Sequence, residues 1–384
     1  MQEFDAIVVG GGLLGAAVAY GLAKANQKVV ILDGDDKDFR ASRANFGLIR
    51  TQGKGAGCPE YQVITRLAAD AWVEFARELH DASKIDVELE LNGGLFLCAN
   101  AGGGSNQLFY NAPGSLESRR SMLEALHIQS GEASPDFEIL ERQELAKLMP
   151  RASLGADVSG ASFCRRDGHV NPLKLLLALH AGFLRHGGTL LPRHRVAAVR
   201  SSGDVHHVST GNGEFCAPKV IVACGAESVG LARQIGVEAN LVPERGQILV
   251  TERCEKVFPY PMNGLRQTVD GTVMIGATAE KVGMDGSTNV SAAVSLAKKT
   301  VRLFPQVEGL KVVRHWSGIR TKLERGHPIY GAAPNTSGAF AFICHGAVGM
   351  APVHATLLPK WVMSGEKPPI LMPFHGMRDL NATS

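Results

Sequence analysis

The chain has 384 residues, of which 45% are hydrophobic and 20% are charged, as in folded globular proteins and unlike disordered ones. Its 40 basic and 37 acidic residues are scattered along the chain, so no basic block suggests a nucleic-acid surface. This length is sufficient for two domains.

A βαβ unit is predicted at the amino terminus. Ala6–Val9 has the apolar character of a buried strand, Leu13–Lys24 that of a helix with small residues facing a sheet, and Lys28–Leu32 that of a second strand. The apolar stretch from Ala6 to Ala23 is not expected to cross a membrane, because five glycines interrupt it and no basic segment precedes it.

Further along, an amphipathic helix is predicted from about Tyr61 to Leu79, and a Gly-, Asn- and Ser-rich exposed loop over Ala99–Gly114. Two later parts of the chain are again predicted to contain both strands and helices. The first set comprises the helix Leu173–Arg185 and the strands Thr189–Leu191, Arg195–Arg200 and Val220–Ala223. The second set comprises the strand Ala339–Cys344, a Gly-rich turn and a helix through Leu358.

The intervening segments, roughly 85–165 and 240–320, have the alternating pattern of half-buried strands, for example Gln247–Thr251 and Thr272–Ile275. We therefore predict an α/β (α+β) fold, in which a discontinuous Rossmann-like domain is interleaved with a mostly antiparallel β domain.

A dinucleotide-binding fingerprint lies between the first strand and the first helix. Gly10 and Gly12 permit a tight turn and a close approach of the backbone to a pyrophosphate, and Gly15 permits close packing of helix and strand. The phosphates would lie at the helix amino terminus, where free N–H groups favour negative charge. Asp33 ends the second strand, about 20 residues after the glycines, where a carboxylate binds ribose hydroxyls and disfavours the 2′-phosphate of NADP.

The seven cysteines are widely spaced and form no C-x-x-C pair, so no zinc site or iron–sulfur cluster is expected from local ligands. Free thiols fit a reducing cytoplasm, and a cytoplasmic protein without a metal site is predicted.

Six stretches along the chain resemble the D-amino-acid-oxidase-like superfamily of FAD-dependent oxidoreductases, which includes glycine oxidase, sarcosine oxidase and subunits of hydrogen cyanide synthase and opine oxidase. They are the amino-terminal βαβ unit, Ala41–Asn45, Val220–Ala226, Pro243–Gln247, Ser317–Arg320 with Pro328–Gly331, and His345–Pro352. The stretch Ala44–Arg50, with Lys54-Gly55 and Pro59–Tyr61 after it, is most similar to the β subunits of opine oxidase and D-hydroxyproline dehydrogenase.

The resemblance implies that the cofactor is FAD. Residues 1–84, 150–235 and 325–384 would form the FAD-binding domain, and residues 85–149 and 236–324 the substrate-binding domain. No cysteine lies in Trp316–Gly331, where covalent members of the family attach flavin, so noncovalent FAD is expected. The cofactor-binding residues implied are Gly10, Gly12, Leu13, Leu14, Gly15, Asp33, Gly34, Ser42, Arg43, Asn45, Phe46, Gly47, Val196, Ala223, Cys224, Gly225, Gly246, Gln247, Arg320, His345, Gly346, Val348, Gly349 and Met350.

The resemblance also implies a substrate carboxylate clamp at Arg320, because a planar guanidinium binds a carboxylate through two parallel hydrogen bonds. Arg266 is a second candidate cation for the catalytic site, suited to a substrate with a second carboxylate. Gln267, which follows it before a hairpin signal at Asp270-Gly271, and Tyr260 are further candidate substrate-binding residues. For Arg266 and Tyr260, burial in the core is an open alternative.

Three functions remain open at this point. The first is oxidation of the C–N bond of an amino acid or opine by hydride transfer to flavin N5, with hydrolysis of the imine, in a β subunit whose partner chains carry electron-transfer centres. That branch also allows FMN at an interface between chains. The second is a stand-alone glycine- or sarcosine-type oxidase that produces hydrogen peroxide, and the third is a non-catalytic flavin-binding scaffold protein.

Overall fold

The computed structural model describes residues 3–34, 40–99, 115–131 and 134–376. Its strands, in chain order, are β1 Ala6–Val9, β2 Val29–Leu32, β3 Leu48–Ile49, β4 Gly94–Ala99, β5 Phe137–Glu141, β6 Val158–Cys164, β7 Gly168–His169, β8 Thr189–Leu191, β9 Val196–Ser202, β10 Val205–Thr210, β11 Gly213–Ala217, β12 Val220–Val222, β13 Glu244–Arg253, β14 Leu265–Gln267, β15 Thr272–Gly276, β16 Val312–Arg320, β17 Ile329–Ala332 and β18 Ala339–Ile343. Its α-helices are α1 Leu13–Lys24, α2 Pro59–Asp70, α3 Trp72–Ser83, α4 Leu116–Ser130, α5 Arg142–Leu148, α6 Pro172–Arg185, α7 Ser228–Gln234, α8 Val290–Leu303 and α9 Ala351–Ser364.

A six-stranded sheet in the order β17-β18-β12-β1-β2-β8 forms the centre of the first layer. β1 pairs in parallel with both β2 and β12, which places Ile7 opposite Val30 and Val220. Only the β17–β18 pairing in this sheet is antiparallel. The strands of the predicted βαβ unit are buried along their whole length, as expected when elements cover both faces of a parallel sheet.

The two faces of this sheet belong to different hydrophobic clusters. Val8 and Ile31 face the helical side, where they pack with residues of α1, α2, α3, α6 and α9. Ile7 and Val30 face the other side, with residues of α7 and of the antiparallel sheet β11-β10-β9. The alternation along β1 and β2 therefore sends successive side chains into separate cores.

The remaining large sheets are antiparallel. One has the order β14-β15-β13-β16 and the other β4-β6-β5, and both contribute to a third hydrophobic cluster with α5 and α8. The predicted fold class, a Rossmann-like layer interleaved with mostly antiparallel β structure, is confirmed. The proposed domain boundaries stay a prediction. β6 lies within the segment 150–235 assigned to the nucleotide domain, yet pairs with β4 and β5.

The helix predicted from Tyr61 to Leu79 is wrong as a single element, because the structure has α2 and α3 with a turn at Ala71 between them. The break lies next to Trp72, which is fully buried and whose indole N–H donates to the Gly349 carbonyl at 3.0 Å. The periodicity of apolar residues does not indicate this hydrogen bond, because Gly349 is distant from Trp72 in the sequence. The predicted loop over Ala99–Gly114 lies outside the described residues, apart from Ala99 at the end of β4.

Among the helices that the structure describes, none is long and apolar enough to cross a membrane.

Candidate active site

A cavity of about 910 Å³ extends from the carboxyl ends of β1 and β2 to the β13–β16 pair of the antiparallel sheet. Ligands of open α/β sheets bind at this end of the parallel strands. The cavity-lining residues among those predicted to bind cofactor are Gly10, Gly12, Leu13, Leu14, Asp33, Gly34, Ser42, Asn45, Phe46, Gly47, Val196, Ala223, Cys224, Gly225, Gly246, Arg320, His345, Gly346, Val348, Gly349 and Met350. Residues from all of the predicted cofactor segments thus meet at one cavity.

The glycine turn after β1 leaves no room for side chains. Gly10 has a φ of +105°, and a Cβ there would lie 2.7 Å from the Ala223 carbonyl oxygen. A Cβ on Gly15 would lie 2.0 Å from the Gly10 carbonyl oxygen, so Gly15 serves packing of α1 against the turn and does not line the cavity. These contacts bring the amino terminus of α1, with its partial positive charge, to the cavity wall.

Ser42 lies against the same helix start. Its hydroxyl oxygen accepts the Leu13 N–H at 2.9 Å, and a Cβ on Gly12 would lie 2.8 Å from that oxygen. Asn45 closes the loop that follows, because its amide donates to the carbonyl oxygens of Ala41 and Ser42 and accepts the Gly47 N–H. The segment after Ser42 is therefore held in a fixed shape beside the cavity.

Asp33 lines the cavity next to the glycine turn. Its Oδ1 accepts the Gly11 N–H at 3.1 Å and a hydrogen bond from Arg40 at 2.6 Å, an ion pair. The carboxylate is therefore held at the end of β2, next to the glycine turn. Gly34 continues this wall, and Val196 borders it from β9.

A cradle of this kind fits a dinucleotide. The turn has space that a Cβ at Gly12 would fill, a helix start is available for the phosphates, and a carboxylate lies where ribose hydroxyls are bound. The residues that would hold the pyrophosphate are Gly10, Gly12, Leu13 and Ser42, with Asp33 at the ribose.

His345 follows β18 at the turn before α9 and lines the cavity. Its side chain is accessible from the cavity. Burial lowers the pKa of His345 to about 3, with contributions from the positive charges of Lys54, Arg320 and Lys322. The imidazole is therefore neutral at physiological pH, and the local field is positive.

Arg320 ends β16 on the cavity wall, directly opposite Glu244 of β13. Its Nη1 donates to Glu244 Oε1 at 2.8 Å, and Lys322 Nζ lies 3.4 Å from the other oxygen. Two cations share one carboxylate here. A Cβ on Gly246 would lie 2.5 Å from the Arg320 guanidinium, so this glycine makes the space in which the side chain lies.

Three residues predicted to bind substrate do not line the cavity, and their role in substrate binding stays a prediction. Arg266 is buried, and its guanidinium donates to His169 Nδ1 at 2.8 Å and to the Met274 sulfur. Burial lowers the pKa of Arg266 to about 10. Gln267 is enclosed by the chain at Val257 and Phe258, whose N–H groups donate to its amide oxygen. Tyr260 packs edge-on against Phe163, outside the cavity.

Besides Gly15, two residues predicted to bind cofactor do not line the cavity. Gln247 is buried in β13, where its amide donates to Glu280 and accepts the Asn289 N–H, so it organises the strand and the start of α8. Arg43 is exposed and is not among the cavity-lining residues.

Arg50, Lys54 and Tyr61 line the cavity but were not predicted as site residues. Their segment was singled out in the sequence only for its resemblance to particular β subunits. The available signal was two cations in a glycine-rich stretch next to the predicted cofactor loop. Tyr61 brings that stretch to the turn before α9, because its hydroxyl would lie 3.1 Å from a Cβ on Gly346.

The fold and the site together define a dinucleotide-binding protein. Residues 5–359 match the model of the FAD-dependent oxidoreductase family DAO, and the chain belongs to that family. It is therefore an FAD-dependent enzyme, as the sequence predicts.

Relatives within the family are similar over the whole length. One of the subunits of opine oxidase from Agrobacterium tumefaciens (strain Ach5) is 34% identical, over 98% of this chain and 98% of the relative. Glycine oxidase of Bacillus subtilis (strain 168) is 25% identical, over 95% and 94%. The crystal structure of glycine oxidase from Geobacillus kaustophilus superposes with a TM-score of 0.86 at 23% identity and covers 98% of this chain and 99% of that one.

Proposed function

We propose that this enzyme oxidises the C–N bond of an amino acid or N-substituted amino acid and acts as the catalytic component of a hetero-oligomer. The observation that carries the proposal is the guanidinium of Arg320, fixed by Glu244 on the cavity wall beside the turn at His345. An amino acid offers one group that matches such a cation, its carboxylate.

Arg320 is suited to orient a substrate. Its ion pair with the opposite strand restricts the guanidinium to one position, so little conformational freedom is lost when a carboxylate binds. A substrate carboxylate bound to Arg320 fixes the position of the neighbouring carbon and nitrogen in the cavity. The free-energy cost of orienting the reacting groups is a large part of the activation barrier, and binding the substrate in this way lowers it.

The positive field of the cavity suits the amine as well. Lys54, Arg320 and Lys322 all act on His345, and the same charges disfavour an ammonium ion placed beside them. A bound substrate therefore loses its ammonium proton more readily than it does in water. FAD bound in the cavity would supply a hydride acceptor for the carbon next to the nitrogen, and water would hydrolyse the resulting imine.

The partner chains are proposed from similarity. The most extensive similarity described above is to a protein named as one of the subunits of opine oxidase, and that name implies other subunits. We propose that such chains carry the electron-transfer centres, and the same arrangement allows a second flavin, FMN, between chains. A stand-alone oxidase is the second candidate, favoured by the full-length structural match to glycine oxidase.

Product analysis tests this proposal. The FAD-loaded protein is mixed without oxygen with a panel of amino acids and N-substituted amino acids, and the oxo-acid product is quantified by mass spectrometry. One oxo acid per FAD is expected from at least one compound. No product from any compound would contradict the proposal and favour the non-catalytic scaffold.

An aerobic assay separates the two catalytic candidates. The isolated chain is expected to turn over with an artificial dye acceptor and to release little hydrogen peroxide. Peroxide in equal amount to the oxo acid, at full rate and without a partner, would instead identify a stand-alone oxidase.

Noncovalent FAD is also proposed. Acid precipitation of the holoprotein should release a yellow supernatant with the absorption of FAD. Colour that stays in the pellet would show a covalent bond.

A further inference from the structure

Two cations border the cavity and form no ion pair within the part of the chain that the structure describes. Arg50 and Lys54 follow β3, and both line the cavity. Their described contacts are with aromatic rings: the Arg50 guanidinium lies 5.4 Å from the Phe96 centroid, and the Lys54 ammonium lies 5.5 Å from the Tyr61 centroid. Neither side chain makes a hydrogen bond or ion pair to another described residue, and both residues line the cavity.

The surroundings do not neutralise these charges. Arg119, a third cation, is buried on the same ring as Arg50, with its guanidinium 4.0 Å from the Phe96 centroid. The buried carboxylate nearby, Asp167, is bound by other groups. It accepts hydrogen bonds from the Thr51 N–H at 2.6 Å and from the Gln52 amide at 2.9 Å.

The cluster therefore has more positive than negative charge. Burial lowers the pKa of Arg50, and it lowers the pKa of Lys54 together with repulsion from Arg50. Asp167 offsets only part of this effect at either cation. Partly desolvated cations in such an environment are unfavourable unless an anion completes the site.

These cations border the same section of the cavity as the proposed substrate clamp. The positive charges of Lys54 and Arg320 both lower the pKa of His345. Tyr61, under the Lys54 ammonium, lies against the turn at Gly346, which directly follows His345. The glycine turn, where the pyrophosphate of the cofactor would lie, is built from other segments. The cavity thus has two groups of cations close to the proposed reaction centre.

We propose that Arg50 and Lys54 bind a second carboxylate of the substrate, so that the enzyme acts on dicarboxylates such as N-(carboxyalkyl) amino acids. This inference rests on the proposed function, in which Arg320 binds the first carboxylate. A monocarboxylate amino acid leaves the Arg50–Lys54 pair unneutralised, whereas an amine flanked by two carboxylates engages both groups of cations. The pair is therefore the specificity determinant of the site.

The test uses two unreactive ligands of equal chain length, glutarate with two carboxylates and valerate with one. Each is titrated into the FAD-loaded protein, and the dissociation constant is taken from the change in the visible flavin spectrum. Glutarate is expected to bind at least about tenfold more tightly, as a charge-assisted hydrogen bond would give. In Arg50→Met and Lys54→Met this ratio should fall to about threefold or less, whereas in Arg320→Met both ligands should bind more weakly.

Arg200→Met is the matched control, because Arg200 is an exposed arginine of β9. It should leave both dissociation constants unchanged. A glutarate preference that is absent in the wild type, or that persists in Arg50→Met and Lys54→Met, overturns the inference. Loss of FAD from these two variants also overturns it, because the cations would then serve the cofactor. Failure of the proposed function is separate, since it appears as absence of oxo acid from every amine even where the glutarate preference holds.

Discussion

At the scale of single residues, the account depends on Arg320 and its partner Glu244. The two are direct cross-strand neighbours on β16 and β13, and their ion pair is only slightly exposed. A pair in this position has two possible uses. It can stabilise the sheet, or it can hold a guanidinium ready for a ligand, and the two uses predict different variants.

Arg320→Ala is expected to retain FAD but to lose substrate affinity and turnover together. Loss of a desolvated, charge-assisted carboxylate contact costs roughly 2–5 kcal/mol, or on the order of 30- to 5000-fold in kcat/KM. Arg320→Lys should recover only part of this, since an ammonium lacks the planar fork. Steady-state kinetics with the best substrate provide the measurement.

Arg314→Ala is the control on the same strand, because Arg314 is exposed. It should change kcat/KM by less than about threefold, as surface substitutions do. A lower melting temperature with unchanged kcat/KM in Arg320→Ala would show that the pair is purely structural and would remove Arg320 from the site.

The family resemblance implied Arg320 as the carboxylate clamp and Arg266 only as a second candidate cation, and of the two only Arg320 lines the cavity. Both lie in strands, where successive side chains point to opposite faces of the sheet. Which face of the sheet meets the cavity depends on the packing of distant parts of the chain. The Arg266 side chain points to His169, which is distant in sequence, so a local pattern does not reveal this contact. Arg50 and Lys54 were not predicted as site residues, because loop residues have no periodicity to indicate where their side chains point.

At the scale of elements, prediction was most successful where chemistry and spacing are both restrictive. The bounds of β1 and α1 follow from the sequence, because the glycine turn between them tolerates few alternatives. The break between α2 and α3 could not be predicted from the local pattern. Trp72, the first residue of α3, donates a hydrogen bond to Gly349, which is 277 residues away in the sequence.

Gly12→Val should abolish FAD binding while the protein still folds. The added side chain would lie against the Ser42 hydroxyl and fill the approach of the pyrophosphate to α1. The measurement is the ratio of flavin to protein absorbance after gel filtration, with circular dichroism to verify folding. Gly211→Val is the control, because a Cβ there meets nothing within 4 Å, and it should bind FAD normally. Normal flavin content in folded Gly12→Val would contradict the assignment of the turn.

The contact between α9 and β17 predicts an acid-sensitive stability. His354 is fully buried, with its Nε2 2.8 Å from the Tyr330 hydroxyl, and burial lowers the pKa of His354 to about 3. In the unfolded chain the imidazole takes up a proton below about pH 6.5. Unfolding therefore becomes easier as the pH falls from about 6.5 towards 3, by about 1.4 kcal/mol per pH unit for this group.

His354→Asn should remove that contribution. Between about pH 7 and pH 5 the free energy of unfolding, measured in urea, should fall by roughly 2 kcal/mol less in this variant than in the wild type. His80→Asn, at an exposed histidine, should leave the pH dependence unchanged. If the free energy of unfolding fell equally with pH in the wild type and in His354→Asn, the buried histidine would take up its proton in the folded protein without a cost in stability.

At the scale of the whole molecule, the cavity is built by segments that lie far apart in the chain. The glycine turn, the loop after Ser42 and the turn before α9 meet at its cofactor end, and β13 with β16 close the other end. The sequence predicts that these segments meet, through the fingerprint and the family resemblance. It does not predict the cavity shape or its charge, which arise only when the two kinds of sheet are packed together.

The central claim, that a carboxylate-bearing amine is oxidised at this cavity, is tested most directly by anaerobic titration of the FAD-loaded chain. The flavin absorbance is followed while an N-(carboxyalkyl) amino acid, glycine, sarcosine and proline are added in separate experiments. The account predicts complete bleaching by the dicarboxylate amine, with weaker or slower bleaching by the three monocarboxylates. Flavin that stays oxidised with every amine, while dithionite still reduces it, would contradict the account.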